Sequence, residues 1–286
     1  MVATPIGNLA DISLRALHVL QLMDSIACED TRHTQGLLRS YGLDRPSSQL
    51  LAVHQHNEAE AAQQVIARLQ QGQRVAYVSD AGTPGVSDPG ARLAAAVQAA
   101  GLRTIPLPGA SSITAALCVA GAVAPSQASS GFVFAGFLAS KHGERATQIQ
   151  QLGLEARCCV LLEAPHRIGE LAQALAVLGP RPVTLAREIT KQFEEIVTQP
   201  ADQLTAWLAG SPQRSRGEFV VVLHPVALQE DSGEGLRVLR LLLAELPTKL
   251  AVRLAADISG APRNELYEAA LKIKRESAAE DDDSDA

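Results

Sequence analysis

Residues 79–90 read SDAGTPGVSDPG: three glycines, two prolines and two aspartates in twelve positions, with no lysine or arginine among them. Before the stretch lies Arg74-Val75-Ala76-Tyr77-Val78, an apolar, β-branched run that reads as a buried strand. After it comes ARLAAAVQAAG, an alanine-rich helix that stops at Gly101. Strand, tight loop, helix is the place where α/β proteins put ligands. Glycine lets a backbone approach a ligand closely, and proline stiffens the loop. An elaborate turn is the competing reading of one such loop, and it stays open on this stretch alone.

Two nucleotide-binding loops are excluded. A phosphate loop of the GxxxxGK[ST] kind needs a lysine, and a dinucleotide fingerprint needs GxGxxG; neither spacing occurs in these residues. The nearest downstream base, Arg92, already belongs to the helix, and Asp80 and Asp88 would repel a polyphosphate. The loop suits a ligand that is neutral or positively charged.

Working outward, strands and helices alternate up to residue 120. Strand candidates are the extreme N-terminus, Ser25–Cys28, Gln49–Val53, Arg74–Ser79 and Arg103–Leu107. Between them lie helical patterns such as Glu58–Gln71, with apolar Ala61, Ala62, Val65, Ile66 and Leu69. This is the alternation of an α/β domain, residues 1–120, with a mostly parallel sheet. The small, polar segment GAVAPSQASSG (121–131) reads as a linker. A second α/β domain, 121–228, holds strand patterns at Phe132–Phe137, Cys158–Leu162, Pro182–Ala186, Glu194–Thr198 and Glu218–Leu223. Fewer helices intervene, so its sheet is expected to be mixed. QEDSGEG near residue 229 breaks the pattern, and residues 236–275 then read as three short helices with turns at Pro247 and Gly260-Ala261-Pro262. The last two resemble a helix-turn-helix pair, which is also the commonest packing of three short helices. Lys249, Arg253, Arg263, Lys272, Lys274 and Arg275 make the module locally basic, so nucleic-acid contact and plain packing both stand.

The chain carries 25 basic and 31 acidic residues, and six of the acids fall in the final ESAAEDDDSDA, read as a disordered acidic tail, 276–286. The remainder is neutral, so overall charge excludes no partner. No apolar stretch reaches the length of a membrane span, and MVATPIGN has neither a basic nor an apolar signal region. Cys28, Cys118, Cys158 and Cys159 form no CxxC pair and read as reduced core thiols. A soluble, cytoplasmic protein is expected.

Four further segments sit, like the opening loop, where a strand ends: Ala3-Thr4-Pro5-Ile6-Gly7-Asn8-Leu9, Cys28-Glu29-Asp30-Thr31-Arg32-His33-Thr34, Leu107-Pro108-Gly109-Ala110-Ser111-Ser112 and Leu162-Glu163-Ala164-Pro165-His166-Arg167. Carboxyl ends of strands are where open α/β sheets bind ligands, and several unusual loops there favour one composite site.

These segments, read as ATPIGNLADISLRAL, EDTRHT, SDAGTPGVSDPG, PGASS, EAPHR and REITKQFEE, closely resemble the ribosomal RNA small subunit methyltransferase I family, of the tetrapyrrole (corrin/porphyrin) methylase superfamily. The resemblance runs from residue 2 to about residue 275, with motifs in the family's order and spacing. It implies two α/β domains of the tetrapyrrole methylase type with a cofactor cleft between them, plus the small C-terminal helical module. It implies S-adenosylmethionine as methyl donor, a cytidine 2′-hydroxyl in the decoding region of 16S rRNA in the small ribosomal subunit as acceptor, and a homodimer. The opening loop then lacks bases because its ligand has no phosphate and carries a sulfonium and an amino group. One departure is that the family has a full first strand before TPIGN, where only Met1-Val2-Ala3 stand here. Either the natural chain starts upstream or the strand is shortened, and its loss would endanger folding before chemistry.

Carried over by motif position, Pro5, Thr83, Val86, Ser111 and Ser112 line the cofactor site, Asp80 braces its loop, and Glu163, Gly217 and Glu218 close it from the second domain. A ribose hydroxyl is a poor nucleophile, so a nearby base would help; Glu29, Asp30, His33 and Glu188 are the catalytic candidates. EDTRHT serves equally well as an ion-pair cluster ordering a loop. Arg32, Arg187 and Lys191 flank the expected cleft and are RNA-contact candidates, with His142, Arg167, Lys249, Arg253 and Arg263. His54 and His56, two apart on a strand, lack a third ligand, so no metal is expected and a structural or RNA-contact role is read. Two alternatives remain: a sibling methylase acting on a tetrapyrrole or another small acceptor, and a non-catalytic RNA-binding protein.

Overall fold

The computed structural model describes residues 1–54, 57–227 and 232–282, and the chain divides into two compact units, Met1–Val226 and Ala227–Ala286. In the first unit, α1 (Leu14–Leu22) precedes β1 (Ser25–Cys28), α2 (Thr31–Ser40), β2 (Leu50–Ala52), α3 (Glu58–Gln70), β3 (Val75–Val78) and α4 (Gly90–Ala99). The three strands pair in the order β2-β1-β3, all parallel. Side chains alternate across a strand. Ile26 and Cys28 therefore join Ala16, Leu20 and Leu38 on one face, while Ala27 and Tyr77 join Val65, Ile66 and Leu93 on the other.

The expected strands at the N-terminus and at 103–107 shrink to single parallel bridges, with Val2 paired to Val78 on one side and Leu107 on the other. Val2 N–H donates to Tyr77 O at 2.8 Å and Leu107 N–H to Met1 O at 2.9 Å. The prolines at 5, 106 and 108 cannot donate to a ladder, which stops it from lengthening. The short N-terminal segment nonetheless holds the position that joins β3 to the 105–107 segment.

Next come α5 (Ser112–Ala120), β4 (Phe132–Gly136), α6 (His142–Leu154), β5 (Cys158–Glu163), α7 (Ile168–Leu175), β6 (Pro182–Arg187), β7 (Glu195–Pro200), α8 (Leu204–Ala209) and β8 (Phe219–Leu223). The sheet order is β4-β5-β8-β6-β7, parallel only between β4 and β5, hence mixed as expected. Its one face, with Cys159, Leu161, Leu185 and Val221, packs on α6, α7 and α8. Its other face, with Cys158, Val160, Ala186, Val220 and Val222, receives Ile113, Ala116 and Ala120 of α5. The α5 helix follows the first sheet in sequence but packs on the second, and this delivers the serines at its start to a place where both sheets meet. Cys28, Cys158 and Cys159 are buried free thiols, whereas Cys118 is exposed.

One buried base holds the far end of the second sheet. Arg181 is 6% exposed and donates to four carbonyls: His224 at 2.8 Å, Leu152 at 2.9 Å, Glu155 at 3.1 Å and Arg157 at 3.4 Å. Replacement by Met fills the space but orphans those acceptors, so Arg181→Met should destabilise by about 3 kcal/mol or more. A lowered urea midpoint at unchanged slope checks this.

The second unit contains α9 (Ser232–Glu245), α10 (Thr248–Ser259) and α11 (Arg263–Asp282), with Leu239, Ala251, Ala255, Leu266 and Ala270 in its core. Gly260 ends α10 in a left-handed conformation (φ +73°). The helix α11 continues past Arg275 to Asp282, into the segment read as a tail, and residues 283–286 lie outside the described residues. No described helix is long and apolar enough to cross a membrane.

Candidate functional site

Within Met1–Val226 a cavity of about 330 Å³ is walled by the 79–88 loop, Ile6 and Glu29 on one side. On the other it meets the start of α5, the Leu162–Pro165 turn, the 186–191 segment and the start of β8. The opening loop owes its shape to its own acids. Asp88 accepts from Gly85 N–H at 2.8 Å, Gly90 N–H at 2.7 Å and the Tyr77 hydroxyl at 3.2 Å. Asp80 accepts from Asp30 N–H at 3.2 Å, while its own N–H donates to Glu29 Oε1 at 2.9 Å. Gly82 (φ +82°) pairs with Thr4, and the Thr83 hydroxyl donates to Ala110 O at 2.9 Å, tying the loop to the segment before α5. The aspartates thus brace the loop, Asp88 from within it and through Tyr77, Asp80 through Asp30 N–H.

Five carboxylates line the cavity (Glu29, Asp88, Glu163, Glu188 and Glu218) against one base, Lys191. Burial, assisted by the charges of Asp80 and Asp88, raises the Glu29 carboxyl above its ordinary value, against the hydrogen bond from Asp80 N–H. Glu188 goes the other way. Burial works to raise it, but hydrogen bonds from Lys191 and Glu218 N–H and the charges of Lys191 and Arg187 outweigh that and hold it low. Lys191 Nζ donates at 2.9 Å to both Glu188 Oε1 and Glu218 Oε2. Glu163 has a fully buried side chain: Oε1 accepts from Ala164 N–H at 2.9 Å and lies 3.2 Å from Arg167 Nε, whereas Oε2 has no hydrogen-bond partner among the described residues. A buried carboxylate oxygen without a partner is costly, and this one belongs to a residue that lines the cavity.

The backbone is strained at this wall. Glu188 (φ +51°) and Thr190 (φ +67°) are the non-glycine residues with positive φ among the described residues, a conformation that costs free energy and concentrates at functional sites.

Of the residues picked from sequence, Glu29, Thr83, Val86, Ser111, Ser112, Glu163, Glu188, Lys191 and Glu218 line this cavity. Others do not. Asp30 caps α2, accepting from Arg32 and His33 N–H and pairing with the Arg32 guanidinium, so its carboxylate is spent and is not a base at the cavity. His33 is an exposed residue of that helix. Pro5 is buried, and its neighbour Ile6 takes the lining position. Gly217 lies behind Glu188 rather than in the wall. Arg187, read as an RNA contact, is 7% exposed, bonded to Glu195 at 3.2 Å and to Arg216 O, so it serves the interior. Arg167 is committed to Leu138 O, Ser140 Oγ and Glu163. His142 lines a separate cavity. Arg32 is exposed and carries a paired charge, and Lys249, Arg253 and Arg263 are exposed residues of the second unit, Arg263 paired with Asp257 at 2.8 Å. His56 lies outside the described residues, and among those described no group of three His, Cys, Asp or Glu is placed to hold a metal. Reasoning from sequence missed Ile6, Phe137 and Ile189; Phe137 had a signal, since it follows the end of β4 as the other loops follow theirs.

Solved structures share this architecture. A cobalt precorrin-4 methyltransferase matches with a TM-score of 0.57 over 78% of this chain and 92% of its own, at 16% identity. A uroporphyrin-III C-methyltransferase from Thermus thermophilus, complexed with S-adenyl homocysteine, matches with a TM-score of 0.51 over 77% and 94%, at 15% identity. The family model for tetrapyrrole (corrin/porphyrin) methylases matches residues 1–205, and one for an RsmI C-terminal HTH domain matches 229–274. Ribosomal RNA small subunit methyltransferase I of Neisseria meningitidis serogroup A is 46% identical over 96% of this chain and 93% of its own. Its counterpart in Pseudomonas aeruginosa is 46% identical over 95% and 96%, and that of Escherichia coli O157:H7 is 44% identical over 95% and 94%. The chain belongs to the tetrapyrrole methylase family and, within it, to the ribosomal RNA small subunit methyltransferase I group.

Proposed function

We propose that this protein uses S-adenosylmethionine to methylate the ribose 2′-hydroxyl of a decoding-region cytidine in 16S rRNA. Beyond family membership, one observation supports the donor most directly: a cavity lined by five carboxylates and one lysine, including a carboxylate oxygen without a partner. Such a wall repels polyphosphates and favours a ligand bearing a sulfonium and an ammonium. Glu163 offers its open oxygen to a donor group of that ligand, and Ser111, Ser112 and Thr83 add polar contacts around it. Bound there, S-adenosylmethionine would supply the methyl group, with its thioether as the leaving group.

The chain's own work is alignment and proton removal. In-line displacement gains most from holding the partners close and aligned. Of the four candidate bases, Glu29 combines a cavity position with a raised carboxyl, so it receives the 2′-hydroxyl proton as the new carbon–oxygen bond forms. Glu188, held ionised by Lys191 and Glu218 N–H, is a weaker base and fixes the wall. The exposed bases Lys249, Arg253 and Arg263, with Arg32, take the RNA backbone. The working form is a homodimer in the cytoplasm, acting within the small subunit.

Calorimetric titration tests the donor. S-adenosylmethionine should bind where ATP and NAD do not, and Glu163→Gln, which keeps the shape but removes the charge, should weaken it about tenfold. Binding of ATP in its place would refute the reading.

A further inference from the structure

A second cavity, of about 320 Å³, lies between the start of α6 and α7, lined by Ser140, His142, Arg145, Glu170, Gln173 and Ala174. Its unusual member is Arg145, only 3% exposed. Nη2 donates to Glu170 Oε2 at 2.9 Å, while Nε and Nη1 have no hydrogen-bond partner among the described residues. A buried guanidinium with open donors is costly unless something completes it. Glu170 is a loose partner, since its side chain is 63% exposed and can swing into solvent.

The surroundings share one chemistry. His142 opens α6, a helix of 13 residues with no side chain capping its N-terminus, where the helix dipole presents partial positive charge. Ser140 and Gln173 add donors. Lys141 and Glu144 pair with each other at 3.0 Å. Apart from the rim carboxylate of Glu170, the cavity offers what a tetrahedral oxyanion needs.

One residue bridges the linings of the two cavities. Arg167 donates from Nη1 to Ser140 Oγ at 3.2 Å, and its Nε lies 3.2 Å from Glu163 Oε1, so it touches one lining residue of each. We infer that the second cavity binds a backbone phosphate of the RNA strand whose ribose reaches the main cavity, which rests on the reading of RNA as substrate. Arg145 supplies the fork, and Glu170 is the anion that the phosphate displaces.

Inorganic phosphate, titrated into the full chain while the His142 ring resonances are followed by NMR, tests the site without requiring RNA or methyl transfer. Saturable shifts are expected in the wild type. Glu170→Gln, a change at an exposed residue, should tighten binding about threefold to tenfold by removing the competing charge. Arg145→Gln should weaken it about tenfold or more. A decoding-region RNA oligonucleotide should displace the phosphate. No saturable shift in either the wild type or Glu170→Gln would overturn the inference, and so would phosphate binding that RNA does not compete away. If Arg145→Gln does not fold, the gain from Glu170→Gln decides. Failure of the proposed reaction would show separately, as absent S-adenosylmethionine binding or methyl transfer by the wild type.

Discussion

Replacing Glu29 by Gln is expected to slow methyl transfer about 10²- to 10⁴-fold, the range for loss of a general base, with S-adenosylmethionine affinity near that of the wild type. The substitution is chosen for its economy. Glu29 Oε1 accepts Asp80 N–H at 2.9 Å, and a glutamine oxygen can keep that bond, so the loop that forms the cavity stays in place while the basic oxygen is lost. The pH profile supplies a second signature. Because burial and the charges of Asp80 and Asp88 raise the Glu29 carboxyl, the wild-type rate should climb with pH through a group titrating above the usual glutamate range. Below that point Glu29 holds a proton and cannot accept another. The climb should vanish in Glu29→Gln. A loss smaller than about threefold, with the profile unchanged, would remove Glu29 from the chemistry.

Gly217→Ala is expected to damage both stability and binding. Gly217 has φ +85°, and a Cβ placed there would sit 2.3 Å from Glu188 Cγ and 2.5 Å from its Cδ. The strain at positive φ costs about 1–3 kcal/mol. The clash further drives Glu188 out of its bonds with Lys191 and Glu218 N–H, so cofactor affinity should drop about tenfold as that wall shifts. Gly36 is the control: it lies in α2 with nothing within 4 Å of its Cβ position, and Gly36→Ala should be stabilising by about 0.5–1 kcal/mol through helix propensity. Thermal unfolding and calorimetry on the pair check this. Equal behaviour of the two variants would contradict the close packing of Gly217 on Glu188.

Much of this was legible in the chain. Strand ends with glycine, proline and serine marked the cavity, because a backbone approaching a ligand needs residues of that kind, and Thr83, Ser111 and Glu163 fell where their loops suggested. The mixed second sheet followed from strands with few helices between them. What stayed hidden depends on tertiary partners. Arg187 sits beside Glu188 and looks like another cleft residue, but the period of two along β6 turns it toward Glu195 and the interior. Asp30 reads as a candidate base from its company, and as a helix cap only once the start of α2 is known. The choice among Glu29, Asp30, His33 and Glu188 needed their surroundings, since like residues are sorted by burial and neighbouring charge, neither of which local sequence carries. Similarly, the partner of α5 is set by the second sheet, far from it in sequence.

Delivery of a methyl group from this cavity to a ribose oxygen of small-subunit rRNA is the reaction proposed. Its most direct test is tritium transfer: the protein is incubated with labelled S-adenosylmethionine and small subunits from a strain lacking the modification, and the label is mapped. Incorporation is expected at one ribose 2′-oxygen of a decoding-region cytidine. Absence of label in rRNA, from a protein that binds the cofactor, would contradict it and point to a small acceptor.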